Sequence, residues 1–443
     1  SVLVAVVWLV HPLHVSTVLY AVQRMTQLWS LFTLAAILTY LAGRQRLETR
    51  PPVAYALLFV VFPAFLLAGI LSKQNAAVAP ALCLVIEIAF QRNLVPARKS
   101  MLAFFSAFLA VPALGIISIL ALKPELLLAG YADYEFTLSE RLLSQPRALC
   151  DYISQILFPR TPRMGLYTDD FQVSRGLLEP VSTAYCIAFL CFVSLGAIAL
   201  RKRAPTFFAG WFFFLAAHSV ESSFLPLDIY FEHRNYLPSA GLILSVVGLL
   251  GLASTKITTN VLTPRQLGML AAIAVTAVLS FATLGRVLVW KNQDTIISQG
   301  LEHHPSSLRA LLDKAAMAQR AQRYDVYSDV MKTLKGSPIE RHRMLGNLYS
   351  LSLDCIRHQQ SDATYLTAAA KEAGERVTLA ELMAFRVVAQ EIGRPQGCGS
   401  ITNTAVARTM GQILDRAHVQ PDTMQPKILM RILAAELYMR DGR

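Results

Sequence analysis

Up to about residue 290 the chain consists of long apolar runs broken by short polar gaps, and this pattern limits its fold more than any other feature. A helix needs about 20 apolar residues to cross the hydrocarbon core of a bilayer. Runs at 1–20, 25–43, 53–72, 75–91, 101–122, 181–200, 206–220, 238–254 and 267–289 predict about nine spans. Two of them, 75–91 and 206–220, are short and suit a tilted or partly re-entrant course. Only 16% of residues are charged, well below the roughly 25% of soluble domains. The fold class expected is all-α: a polytopic membrane helix bundle over 1–289, then a soluble helical solenoid of tetratricopeptide-like repeats over 290–443.

A net charge of +12 raises the question of nucleic acid, but its distribution argues against that partner. Arg44, Arg46 and Arg50, then Arg92, Arg98 and Lys99, then Arg201, Lys202 and Arg203 fall in gaps between apolar runs. That is the pattern of cytoplasmic loops. With 255–266 also assigned to the cytoplasm, the segments 21–24, 73–74, 123–180 and 221–237 face the other side, as does 290–443.

The outer loop 123–180 is too long for a plain connector. Within it, LSERLLSQPRALCDYISQILF has helical apolar spacing with a polar opposite face, compatible with lying along the membrane surface. The favoured expectation is a structured loop covering the membrane domain. In the tail, SLRALLDKAAMAQRAQRYDVYSDVMKTLK, LGNLYSLSLDCI, TYLTAAAKEA and LAELMAFRVVAQEIG are amphipathic helical segments, though without a clean 34-residue period. Cys83, Cys186 and Cys191 fall in apolar runs, and no cysteine has metal-type CxxC spacing. Cys355 and Cys398 are open to either pairing or free thiols. The chain opens inside an apolar run, so Ser1 reads as a truncation point.

Four polar clusters stand at span ends on the outer side. They are HPLHVSTVLYAVQRMTQ (with His11, His14, Gln23 and Arg24), SKQN (Lys73, Gln74), HSVESSFLPLD (His218, Glu221, Asp228) and EHRNYLP (Glu232, His233, Arg234, Asn235, Tyr236). Ionisable groups beside spans cost about 2.5–3.5 kcal/mol each on insertion scales and are usually kept for function. Snorkelling to headgroups explains any one of these cations. It explains a shared outer face with acids, histidines and amides less well. Arg forks onto phosphate and Lys supplies a point charge, so a lipid phosphate is the ligand such a pocket suits. His11 and His14 share a helical face and could take zinc or another divalent metal, but no third ligand is evident.

HPLHVSTVLYAVQRMTQ resembles a segment of the transmembrane and tetratricopeptide-repeat O-mannosyltransferases and their bacterial relatives. SKQN is similar to that family's SKE turn, with Gln74 in place of the acid. HSVESSFLPLDIYFEHRNYLPSAG resembles its last catalytic-side loop, and VWKNQDTIISQGLEHHPSSLRA its junction with the repeats. The likeness runs from residue 1 to about 320 with the motifs in the same order. It implies a C-type glycosyltransferase of the bacterial inner membrane, with its C-terminal domain periplasmic. Such an enzyme moves a sugar from a polyprenyl phosphate to a periplasmic protein or glycan acceptor presented by the helical repeats. Arg234, His233, Lys73 and Arg24 would bind the donor phosphate, and His11, His14, Gln74, Asn235, Tyr236 and His218 would line the pocket.

The resemblance also shows a departure. The family's acidic pair lies in a loop before the HPLH segment, so the principal acid is expected upstream of Ser1 and the chain as given is expected to lack it. Asp169 and Asp170 stand in a different loop, and Glu221 and Glu232 are left as assisting groups only. The alternatives are an oligosaccharide ligase or polymerase, and a non-catalytic membrane scaffold whose solenoid recruits partners.

Overall fold

The computed structural model describes residues 2–90, 98–160, 163–254 and 263–442. Their regular structure is helical, with no β-sheet among them. The chain divides into two compact units, one of residues 1–129 and 136–299, the other of 130–135 and 300–443.

The first unit begins with α1 (Val2–Leu9) and α2 (Pro12–Leu19), which meet at 54°. Pro12 brings no amide hydrogen, and the Nδ1 of His11 accepts the Leu13 amide at 3.2 Å, so the chain breaks and restarts there. Then follow α3 (Arg24–Arg46), α4 (Pro51–Ser72), α5 (Gln74–Phe90) and α6 (Arg98–Leu122). In α4 and α6 a wide turn, Leu57–Val61 and Ser106–Ala110, runs up to Pro63 and Pro112. A proline inside a helix removes one hydrogen bond and crowds the carbonyl four residues back, and the wide turn relieves both. The amphipathic α7 (Leu138–Leu157) starts at a Thr137–Glu140 capping box. The unit closes with α8 (Ser182–Ala199), α9 (Pro205–His218), α10 (Pro238–Ser254) and α11 (Pro264–Val289).

The expectation of about nine spans is corrected. Among the described residues five helices are long and apolar enough to cross: Ala21–Arg46, Pro51–Ser72, Arg98–Leu122, Ser182–Ala199 and Gln266–Val289. The bent pair α1–α2 makes a sixth if counted as one span. The runs at 75–91, 206–220 and 238–254 yield helices of at most 17 residues. At 1.5 Å per residue the 14 residues of α9 reach about 21 Å, short of a core about 30 Å thick. The chain is an all-helical protein consistent with a multi-pass membrane protein.

The short helices pack unusually closely. A Cβ on Gly210 of α9 would stand 2.5 Å from the Gly241 carbonyl oxygen of α10, and one on Gly248 2.5 Å from the Phe207 amide nitrogen. Glycine therefore sets the spacing of this antiparallel pair. Arg44 is also corrected: it belongs to the last turn of α3, buried against Glu87 of α5 at 2.9 Å, and is not a loop cation. Arg92 and the expected return loop at 255–262 lie outside the described residues.

The second unit is built on α12 (Gln293–His303), whose end enters it, α13 (Leu308–Arg320), α14 (Tyr324–Lys335), α15 (Glu340–His358), α16 (Thr364–Lys371), α17 (Leu379–Ile392), α18 (Asn403–Arg416) and α19 (Gln425–Arg440). The tetratricopeptide-like solenoid is not borne out. Such a repeat stacks helix pairs of constant length, whereas these helices run from 8 to 19 residues. Leu348, Phe385, Val406, Met430 and Leu437 gather into one core spanning α15 to α19. Cys355 and Cys398 are joined by a disulfide across 43 residues.

Candidate functional site

The segment between α9 and α10, residues 219–237, has little regular structure, so its backbone groups need partners from elsewhere. The buried face of α7 supplies them. Arg141 is fully buried and donates to the carbonyls of Glu221, Ser223, Leu227 and Asp228. One turn on, Gln145 donates to the Ile229 carbonyl at 3.2 Å. Two turns further, the Tyr152 hydroxyl donates to the Phe231 carbonyl and accepts the Phe231 amide, both at 3.0 Å. An amphipathic stripe thus holds an irregular segment in one course, and with it the charged groups that segment carries.

Those groups form two clusters. In the first, Lys73, just past the end of α4, meets Glu221 at 2.8 Å, and the Arg234 Nε stands 3.9 Å from the same carboxylate. All three are buried. Lys73 also reaches the Thr26 hydroxyl at 3.4 Å, and Arg234 donates to the Ile229 carbonyl at 3.0 Å. His233 stacks on Phe231 at 5.0 Å. Burial alone would raise the Glu221 carboxyl, but Lys73 and Arg234 outweigh it and hold it at about 2. Burial first, then the Lys73 charge, push His233 down to about 3, so it is neutral at physiological pH. His218 lies with its ring stacked on Tyr152, 5.3 Å away at 11°, and edge-on to Phe214.

In the second cluster Glu232 is held by Arg286, from the last turn of α11, and by the Ser16 hydroxyl of α2. Arg286 donates as well to the Pro12 carbonyl at 3.3 Å. Beside it Trp8, His14 and Tyr236 form a triangle of rings 5.0–5.1 Å apart, with the Trp8 indole donating to the Tyr236 carbonyl at 2.8 Å.

A concentration of unsatisfied buried atoms marks this region. His14 Nδ1, Asn75 Oδ1, Ser222 Oγ, Glu232 Oε2, Arg234 Nε and Arg286 Nε have no hydrogen-bond partner. Buried polar atoms are ordinarily paired, and a group of orphans in one place is the mark of a site that receives a polar ligand or water.

The chain matches no known protein family, no characterised protein and no solved structure.

The structure brings Lys73, Arg234, His233, Glu221 and His218 together, and Glu232 with His14 and Tyr236 beside them. It does not bring in Arg24, which is exposed at the start of α3, or Gln74, which is exposed while its neighbour Asn75 is buried. The expected zinc role for His11 and His14 also meets an obstacle. His11 Nδ1 accepts the Leu13 amide, which leaves its Nε2 protonated and donating to the Ile156 carbonyl at 3.0 Å. No lone pair remains for a metal. Among the described residues no group of three or more His, Cys, Asp or Glu side chains is placed to hold a metal ion.

Sequence reasoning missed Ser16, Asn75, Arg141, Tyr152 and Arg286. Arg286 had a legible signal, a lone cation four residues from the end of an apolar run. Arg141 had another, a long cation on the apolar face of an amphipathic helix.

Proposed function

We propose that the chain is a membrane glycosyltransferase that takes a sugar from a polyprenyl monophosphate and passes it to a hydroxyl of an acceptor outside the cytoplasm. The observation that carries this is the charge balance of the first cluster. Lys73 and Arg234 share the single carboxylate of Glu221, and His233 is neutral, so the group holds one uncompensated positive charge. A buried cation pair short of one counter-charge, ringed by unsatisfied polar atoms, suits a monoanion. A sugar phosphodiester on a lipid carries one negative charge and a diphosphate carries more, which favours the monophosphate donor over that of a ligase or polymerase. In transfer, the acceptor oxygen attacks the anomeric carbon and the lipid phosphate departs with an added charge. Lys73 and Arg234 would stabilise that charge as it develops.

The sequence resemblance to polyprenyl-phosphate-dependent C-type glycosyltransferases supports the same assignment through the segments that carry Lys73, Glu221 and Arg234. Glu221 and Glu232 act here as ion-pair partners. A carboxyl held at about 2 is a weak base, so Glu221 orients Lys73 and does not take the acceptor's proton. The Cys355–Cys398 disulfide supports a position for the second unit on the oxidising side, periplasmic in a bacterium. The chain leaves α11 just after Arg286, at the site end of that helix, and runs on into that unit.

The test is binding of a short-chain isoprenyl-phosphate monosaccharide, a phosphodiester with one charge, and of its diphosphate counterpart to the detergent-solubilised protein, with Arg234→Ala beside wild type. Preference for the monophosphate, and at least a tenfold weakening by Arg234→Ala in protein that still melts cooperatively, is the result expected. Equal binding by wild type and variant would remove the donor site. A scaffold would show that silence at Arg234 and lose its partners only on deletion of 300–443.

A further inference from the structure

We propose that Cys150 and Cys186 are a second disulfide site, which ties the amphipathic helix α7 to the span α8. The proposal rests on the assignment of the site end to the oxidising side made above. The two helices pack against each other, and the Cys150 Sγ stands 3.8 Å from the Cys186 carbonyl oxygen. The Cys186 side chain lies beside the Cys150 thiol and, unlike Cys355 and Cys398, both are free thiols in this structure. Their surroundings are already fixed. Ser144 Oγ accepts the Ser174 amide at 2.7 Å, Thr183 Oγ1 donates to Ser174 Oγ at 2.9 Å, and Arg147 donates to the Gln172 carbonyl at 2.7 Å. Ser144 and Arg147 stand six and three residues before Cys150 on α7, and Thr183 three residues before Cys186 on α8. The frame on both helices is thus pinned within two turns of the sulfurs, which keeps the two cysteines beside each other, as a disulfide requires. Both cysteines are partly exposed, with Cys186 near the start of α8, whereas Cys83 is buried in the membrane unit.

The bond forms by thiol–disulfide exchange with a disulfide-bearing oxidoreductase of that compartment. One cysteine thiolate attacks the oxidant's disulfide and releases one of its thiols, leaving a mixed disulfide. The second cysteine attacks its neighbour's sulfur and releases the other. Two electrons and two protons pass from Cys150 and Cys186 to the oxidant. Burial, and then the Cys186 thiol beside it, hold the Cys150 thiol above its ordinary range, so exchange through its thiolate is slow, while the uncharged disulfide escapes that penalty. The bond would brace the helix whose Arg141, Gln145 and Tyr152 hold the segment that carries Glu221 and Arg234.

The experiment uses the full chain, quenched with acid from the cell membrane, alkylated in detergent and digested with trypsin without reduction. The expected product is peptide 148–160 joined to peptide 176–201, alongside the Cys355–Cys398 cross-link as internal reference. Cys150→Ser should then return Cys186 to the alkylated state without reductant, and Cys186→Ala should do the same for Cys150 if the first variant accumulates poorly. A linked Cys355–Cys398 with Cys150 and Cys186 both alkylated overturns this proposal alone. All four alkylated overturns it together with the placement of these segments on the oxidising side.

Discussion

Glu232 and Arg234 are separated by one residue, yet each serves a different ion pair: Glu232 meets Arg286 of α11, and Arg234 faces Glu221. The 3₁₀ turn Glu232–Asn235 accounts for the divergence. At three residues per turn, positions two apart point about 240° from one another. A run of four polar residues therefore serves both clusters at once.

Removing one partner of the first cluster should cost more than removing two. Lys73→Met leaves Glu221 buried with only the longer Arg234 contact, and breaking such a pair costs about 3–5 kcal/mol. Lys73→Met combined with Glu221→Leu should recover most of that loss. Thermal melts of the two single variants and the double variant in one detergent give the cycle. Additive losses would mean that the two side chains do not act on each other.

Acid should weaken the fold in two overlapping windows. His233 falls from an ordinary value of 6.5 to about 3, so the unfolded chain binds its proton first. Its contribution is complete above pH 6.5 and is lost as pH falls toward 3. Glu221, held at about 2, contributes fully above the ordinary carboxylate value and loses that only as pH falls through about 2. Melting temperature should therefore already drop between pH 6.5 and 4.5. His233→Asn should reduce that slope by its share, the remainder belonging to other buried histidines such as His218, and an unchanged slope would assign it wholly to those groups.

Arg286→Met should destabilise the membrane unit by about 3–5 kcal/mol, because it leaves the Glu232 carboxylate buried without its cation. Adding Glu232→Gln removes the stranded charge and should restore much of the loss. Detergent-resistant melting of both variants checks this, and a harmless Arg286→Met would show that Ser16 alone satisfies Glu232.

Gly210→Leu should separate α9 from α10. Even the first carbon of a side chain would meet Gly241 backbone at 2.5 Å, and forced overpacking of this kind costs about 1–3 kcal/mol or more. Gly251, where a Cβ meets nothing within 4 Å, is the control: Gly251→Ala should leave the melt unchanged.

The all-helical class and the membrane character were legible because burial in lipid demands long apolar runs, which need no tertiary information to be seen. The span count was not. Residues 206–220 look like a membrane crossing, but the helix starts at Pro205 and ends at His218, and hydropathy cannot show where capping stops it. In the tail, amphipathic spacing correctly predicted helices, but their unequal lengths come from turns such as Ala321–Arg323, where Gln322 takes a positive φ of 55°. Lys73, Glu221 and Arg234 could be picked out as costly charges at span ends. Their partition from Glu232 could not, since it depends on a 3₁₀ turn and on Arg286, more than 50 residues away. Arg24 and Gln74 were chosen by motif position, yet helix phase turns both outward.

The shortness of α9 has a mechanical consequence for the surrounding lipid. A helix of about 21 Å whose last residue is buried His218 either holds that residue below the headgroup plane or draws the leaflet down to meet it. In both cases the end of α9, and the charged clusters beside it, would lie deeper than the ordinary headgroup level. On the function proposed above, a lipid phosphate would reach Lys73 and Arg234 by a short descent, with its hydrocarbon chain still among its neighbours.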